Sequence, residues 1–263
     1  MTTADPILDA KNVTIRFGGL TAVSNFDLAV RPHELVGLIG PNGAGKTTIF
    51  NMLTGVYKPT EGEIRIGGES THEFKPYEIT ARGLARTFQN IRLFKELTVL
   101  ENVKIGGHTH YKYSGTSAVL HTNRFHGAEH QAEEDALRLL EIFELRGRAH
   151  YNAKNLPYGD QRRLEIARAL AARPRLLLLD EPAAGLNTGE TVALMAKIRE
   201  IRDRFGVAIL LIEHNMELVM GICERILVLN YGKTIAQGTP EQIQKDPVVV
   251  EAYLGEPAEA AQL

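Results

Sequence analysis

The run Gly40-Pro41-Asn42-Gly43-Ala44-Gly45-Lys46-Thr47 spaces its glycines, lysine and hydroxyl as G-x-x-x-x-G-K-[ST], and Thr48 completes the junction. Glycines at these positions let backbone N–H groups turn inward around phosphate oxygens. The Lys46 ammonium can then neutralise β and γ phosphates, and the Thr47 hydroxyl can face Mg²⁺. The chemistry implied is capture of a nucleoside triphosphate with its metal. A second magnesium-facing oxygen is needed, and Asp180 supplies one at the end of the apolar run Leu176-Leu177-Leu178-Leu179. Glu181 follows, one residue further from the metal and placed to polarise a water attacking the γ phosphate.

These residues require a strand that runs into the glycine loop and a helix that leaves it. Residues 34–39 form a short apolar run and 46–53 read as helix, with Gly55 as its stop. Upstream, Val13, Ile15 and Phe17 alternate, as do Phe26, Leu28 and Val30, and a hairpin is expected across 62–68. Between 89 and 157 the pattern turns helical, with a capping box in Thr98-Val99-Leu100-Glu101 and one apolar face carrying Ala136, Leu140 and Phe143. Beyond it, strands at 175–180, 207–212 and 225–229 alternate with helices at 191–205 and 216–223, the pattern of a parallel sheet covered on both faces. Thr239-Pro240 opens a last helix. The expected organisation is one domain over 1–255: a core with a β lobe (1–88), an inserted helical lobe (89–157), then the remaining core (158–255). A frayed tail (256–263) follows.

Composition narrows the class. With 263 residues, 44% hydrophobic and 24% charged, the chain is globular. Thirty basic against 32 acidic residues leave a net charge of −2, too little positive field to hold nucleic acid. No apolar run approaches the ~20 residues of a membrane-spanning helix. A lone Cys223 and no apolar leader point to the cytoplasm. Five of nine histidines lie between His108 and His130, and His126-Gly127-Ala128-Glu129-His130 matches H-x-x-E-H, a zinc-protease pattern. Its polar, glycine-interrupted setting makes a solvated insertion the expected reading.

With these motifs in this order, the sequence resembles the ATP-binding subunits of ATP-binding-cassette transporters over roughly residues 8–254. The resemblance implies a P-loop NTPase (RecA-like) α/β fold: a parallel-sheet core, an N-terminal antiparallel β lobe and an inserted α-helical lobe. It implies ATP and Mg²⁺ as ligands, Phe17 stacking on adenine, and His214 contacting the γ phosphate. Gln89, in Thr87-Phe88-Gln89, would reach the metal or attacking water from the loop joining core to helical lobe. Ala184-Gly185-Leu186-Asn187 matches the loop after the acidic pair. The family's L-S-G-G-Q signature here reads Leu156-Pro157-Tyr158-Gly159-Asp160, with proline in place of the serine that touches the partner's nucleotide. A helix from Asp160 onward then implies backbone recognition in trans through Tyr158, Gly159 and Asp160. The implied partners are a second cassette subunit (a copy or a paralogue), integral membrane permeases and, indirectly, a solute-binding protein. The implied place is the cytoplasmic face of the membrane. The signature variant and the 182–187 loop are similar to the subgroup serving branched-chain amino-acid uptake; urea-uptake and lipopolysaccharide-export ATPases share the framework.

Overall fold

The computed structural model describes residues 5–111, 117 and 122–254, so the tail and part of the histidine-rich stretch lie outside the described residues. The chain divides into two compact units, residues 1–86 with 175–263, and residues 87–174.

The first unit contains two sheets. An antiparallel one joins β1 (Leu8–Phe17), β2 (Leu20–Val30), β4 (Glu61–Ile66) and β5 (Glu69–Ser70) in the order β2-β1-β4-β5. The other joins β3 (Leu35–Ile39), β6 (Leu84–Arg86), β7 (Leu176–Asp180), β8 (Ala208–Ile212), β9 (Arg225–Asn230) and β10 (Lys233–Gly238) in the order β10-β9-β3-β8-β7-β6. Strands β9, β3, β8, β7 and β6 run parallel, and β10 turns back antiparallel at the edge. Every residue of β3, β7 and β8 is buried, which is why each reads as an unbroken apolar run. Edge strand β10 was not expected from sequence, because its side chains are half-buried at most and leave no apolar alternation. Helices α1 (Lys46–Leu53), α2 (Pro76–Ala81), α6 (Thr188–Phe205), α7 (Met216–Ile222), α8 (Pro240–Lys245) and α9 (Pro247–Leu254) complete the unit. A single apolar cluster joins Val13 and Phe26 of the antiparallel sheet to Leu38 and Leu227 of the other, enclosing Ile49 and Phe50 of α1. The two sheets are thus fastened through the helix that follows the glycine loop.

The second unit is helical: α3 (Val99–Gly107), α4 (Asn123–Ile142) and α5 (Tyr158–Ala171), with α3 packed on both others. The capping box forms as read, Thr98 accepting from the Glu101 N–H and Glu101 from the Thr98 N–H. The expected lobe ended at Pro157, yet α5 belongs to this unit and starts at Tyr158 rather than Asp160. Arg162 is the side chain that links α5 to the start of the unit. Arg162 and Glu165, each 1% exposed, lie 3.0 Å apart, and Arg162 also donates to the Phe88 and Gln89 carbonyls at 2.8 Å. The H-x-x-E-H stretch sits within continuous helix α4, where Glu129 accepts from Lys104 Nζ at 2.8 Å.

Candidate active site

Strand β3 is paired on both sides and delivers the chain to Gly40 at the sheet's C-terminal edge. A Cβ on Gly40 would lie 2.0 Å from the Leu229 carbonyl oxygen, so only glycine passes there. Three of the loop's carbonyls have hydrogen-bond donors of their own. Lys46 Nζ donates to the oxygens of Gly40 (2.5 Å) and Pro41 (2.9 Å), and the Gly232 N–H donates to Ala44 O at 2.9 Å. Helix α1 then begins at Lys46 with no side-chain cap and no acidic residue in its first turn. By contrast α3, α4, α6, α7 and α8 are capped by Thr98, Thr122, Asn187, Asn215 and Thr239. The first-turn N–H groups of α1 lack intrahelical acceptors, the arrangement in which a helix start can receive a phosphate. Residues Gly40 to Thr48 thus have the geometry of an anion cradle.

Leu38 and Asp180 both pair with Ile212 from opposite sides of β8, so the two strand ends stand about 10 Å apart at one sheet edge. Asp180 is 3% exposed, and its Oδ2 accepts from Arg86 Nη2 at 2.6 Å. Glu181 adopts a left-handed backbone (φ 47°), held by its N–H on Ile212 O at 2.9 Å. That turn costs about 1–2 kcal/mol for a non-glycine residue. It carries the carboxylate off the strand axis, with Glu181 Oε1 2.9 Å from His214 Nε2. Between them Glu213, 3% exposed, accepts the Ala183 N–H at 2.6 Å and the His214 N–H at 3.1 Å, fixing the loops that carry both partners. Burial pushes the Glu213 carboxyl above the usual range, against the lowering effect of those backbone donors. Glu213 and Arg86 escaped the sequence reading. The available signal was a charge closing an apolar strand at the same edge as Asp180.

Phe17 ends β1, 45% exposed, with its ring edge-on to Tyr57 at 5.3 Å. Thr47 and Asp180 offer a hydroxyl and a carboxylate, the hard oxygen donors that suit Mg²⁺. In the second unit Gln89, Tyr158 and Gly159 are exposed or nearly so, and Arg162 ties the Gln89 carbonyl to the first turn of α5 by also donating to the Tyr158 hydroxyl at 3.1 Å. The Asp160 carboxylate is paired with Arg148 and lies 3.8 Å from Arg163. Its charge is thereby offset at a helix N-terminus that could otherwise repel an anion.

An anion cradle after a central parallel strand, with an acidic pair and a histidine at the neighbouring strand ends, defines a nucleotide-hydrolysing α/β core. The family model described as "ABC transporter" matches residues 23–184, and "Branched-chain amino acid ATP-binding cassette transporter" matches residues 233–259. The chain belongs to the ABC transporter ATP-binding family. It is 49% identical to the high-affinity branched-chain amino acid transport ATP-binding protein BraF of Pseudomonas aeruginosa, across 95% of this chain and 98% of that protein. Identity to LivG of Escherichia coli, whose name carries the same description, is also 49%, over 96% and 99%. The lipopolysaccharide export ATP-binding protein LptB of Haemophilus influenzae is 37% identical over 95% and 98%. Among solved structures, the ADP conformation of MJ1267, an ATP-binding cassette of an ABC transporter, superposes with a TM-score of 0.81 at 30% identity, covering 95% of this chain and 99% of that one.

Proposed function

We propose that this chain is the ATP-hydrolysing subunit of an importer for branched-chain amino acids. The observation that carries the chemistry is the Glu181–His214 pair at 2.9 Å, standing at the sheet edge that also bears the phosphate cradle and Asp180. Lys46 and the first-turn N–H groups of α1 bind the phosphates, and Phe17 stacks on the adenine. Thr47 and Asp180, with Gln89, would hold Mg²⁺, which when bound would neutralise charge that develops on the phosphate oxygens. Glu181 orients the attacking water and accepts its proton, while His214 contacts the γ phosphate.

The chain carries one phosphate loop and one signature segment. Tyr158, Gly159 and Asp160 therefore serve the nucleotide of a second cassette, and two cassettes drive separate permeases at the cytoplasmic membrane face, fed by a solute-binding protein. Among the described residues no helix is long and apolar enough to cross a membrane. The choice of solute rests on the BraF and LivG identities and on the 233–259 match. The test is reconstitution of the chain in vesicles with branched-chain amino-acid permeases and a solute-binding protein. Uptake of labelled leucine or isoleucine should require ATP and this subunit; ATP-driven uptake of urea in place of leucine would refute the assigned solute.

A further inference from the structure

Arg86 closes β6, three residues before Gln89. Its side chain is 7% exposed against 5% for Asp180, and its guanidinium spans two elements. From Nη2 it donates to Asp180 Oδ2 at 2.6 Å, and from Nη1 to Asn51 Oδ1 at 2.7 Å, with Thr54 Oγ1 3.5 Å away. The Phe50 ring lies beneath it, 5.4 Å from centroid to guanidinium carbon. Asn51 follows Thr47 by four residues on α1, one helical turn, so the two side chains share a face. One planar cation thus connects the helix that carries Thr47 to the strand that carries Asp180.

The geometry points to Arg86 as a positioning residue for the magnesium site, setting the Asp180 carboxylate plane and its spacing from Thr47 through Asn51. This rests on the reading of Thr47 and Asp180 as the metal's oxygens. Simple neutralisation of a buried carboxylate needs one cation near it. The fork here has a second, directed prong that ends on the phosphate-loop helix. Arginine suits that task because its donors are fixed in one plane, whereas a lysine ammonium is a single point that reaches one acceptor well. A carboxylate gripped at one oxygen presents the other in one orientation, which matters for a small ion that demands near-ideal octahedral geometry.

Mg²⁺ titrations of fluorescent trinitrophenyl-ATP bound to the purified chain, alongside the same titration of nucleotide in EDTA, test this directly. Removing an outer partner of a metal ligand typically weakens metal affinity about 10- to 100-fold. Arg86→Met should raise the Mg²⁺ midpoint by that order, and Arg86→Lys should recover part of the loss. Asn51→Ala breaks the far prong while leaving the buried charge pair in place, so it should fold and still raise the midpoint. Nucleotide affinity in EDTA should stay within about twofold in all three. Asp180→Asn is the reference, since it alters the ligand itself. If Asp180→Asn moves the midpoint while Asn51→Ala and Arg86→Lys do not, the positioning role is overturned. A parallel loss of affinity in EDTA with an unmoved midpoint also overturns it, marking Arg86 as structural. If Asp180→Asn leaves the midpoint unmoved, the metal reading of Asp180 fails and this proposal with it.

Discussion

Glu181 combines a strained backbone with a directed partner, and its substitution separates binding from chemistry. Glutamine keeps the side chain's length and its contact with His214 but removes basicity. Glu181→Gln should therefore lower phosphate release by about 10²- to 10⁴-fold while ATP affinity is retained; an unchanged turnover number in a phosphate-release assay would reject the base. Glu213 makes a different prediction. Its carboxyl is raised chiefly by burial, with the Glu181 charge adding to the shift. A raised acid binds its proton more tightly folded than unfolded. Its contribution to stability is complete below the ordinary glutamate range and is lost as pH rises through the raised value. The melting temperature of the parent minus that of Glu213→Gln should fall as pH is raised across that window, and a flat difference would show that Glu213 binds its proton equally in both states.

The hairpin between β9 and β10 braces the phosphate loop. Gly232 donates to Ala44 O and accepts from the Ser24 N–H at 2.8 Å, and a Cβ there would meet Ala22 O at 2.4 Å. Gly232→Ala should push this strut off the loop. The Michaelis constant for ATP should rise several-fold, about 0.5–1.5 kcal/mol in nucleotide binding, the net size of a lost hydrogen bond. A parental constant in steady-state kinetics would mean that the loop holds its shape without the brace. Beside it, Pro41, Asn42 and Gly43 share a cavity of about 370 Å³ with Tyr231, Val248 and Glu251. Val248 and Glu251, which fall within the stretch matched by the branched-chain family model, thus line the same cavity as the loop. In the helical unit the buried Arg162–Glu165 pair fastens α5 to the Phe88–Gln89 carbonyls. Arg162→Met leaves Glu165 buried without its ion-pair partner, a loss of up to about 3–5 kcal/mol. Urea denaturation should show it, with residues 87–174 the part that loosens first by hydrogen exchange.

At the scale of the whole molecule, the proposed function has this chain's phosphate loop and signature complete their sites with a second cassette. On that proposal, ATP held between one subunit's cradle and its partner's signature favours the closed pair until hydrolysis removes those contacts. Glu181→Gln with ATP and Mg²⁺ should accordingly elute as a dimer in size-exclusion chromatography, and as a monomer in EDTA. Monomer under both conditions, including with a paralogous cassette added, would reject the ATP-closed pair.

Local chemistry made much of this legible in the sequence. The glycine-lysine-threonine spacing, the apolar run ending in Asp180-Glu181, and the Thr98 cap are short-range patterns in which backbone freedom, charge and alternation follow from neighbouring residues. Tertiary structure decided what depends on residues far apart in the chain. Arg86 meets Asp180 across 94 positions, Glu213 receives the Ala183 N–H across 30, and Arg162 reaches Phe88 across 74, drawing α5 into the helical unit. Each is a buried polar group whose partner must come from another element, because desolvation is tolerable only where packing delivers one. The half-exposed β10 gave no apolar pattern to read, yet its hairpin reaches the phosphate loop because the sheet order sets β9 beside β3. Periodicity reports which face of an element is buried; only the folded sheet decides which loops its edge brings together.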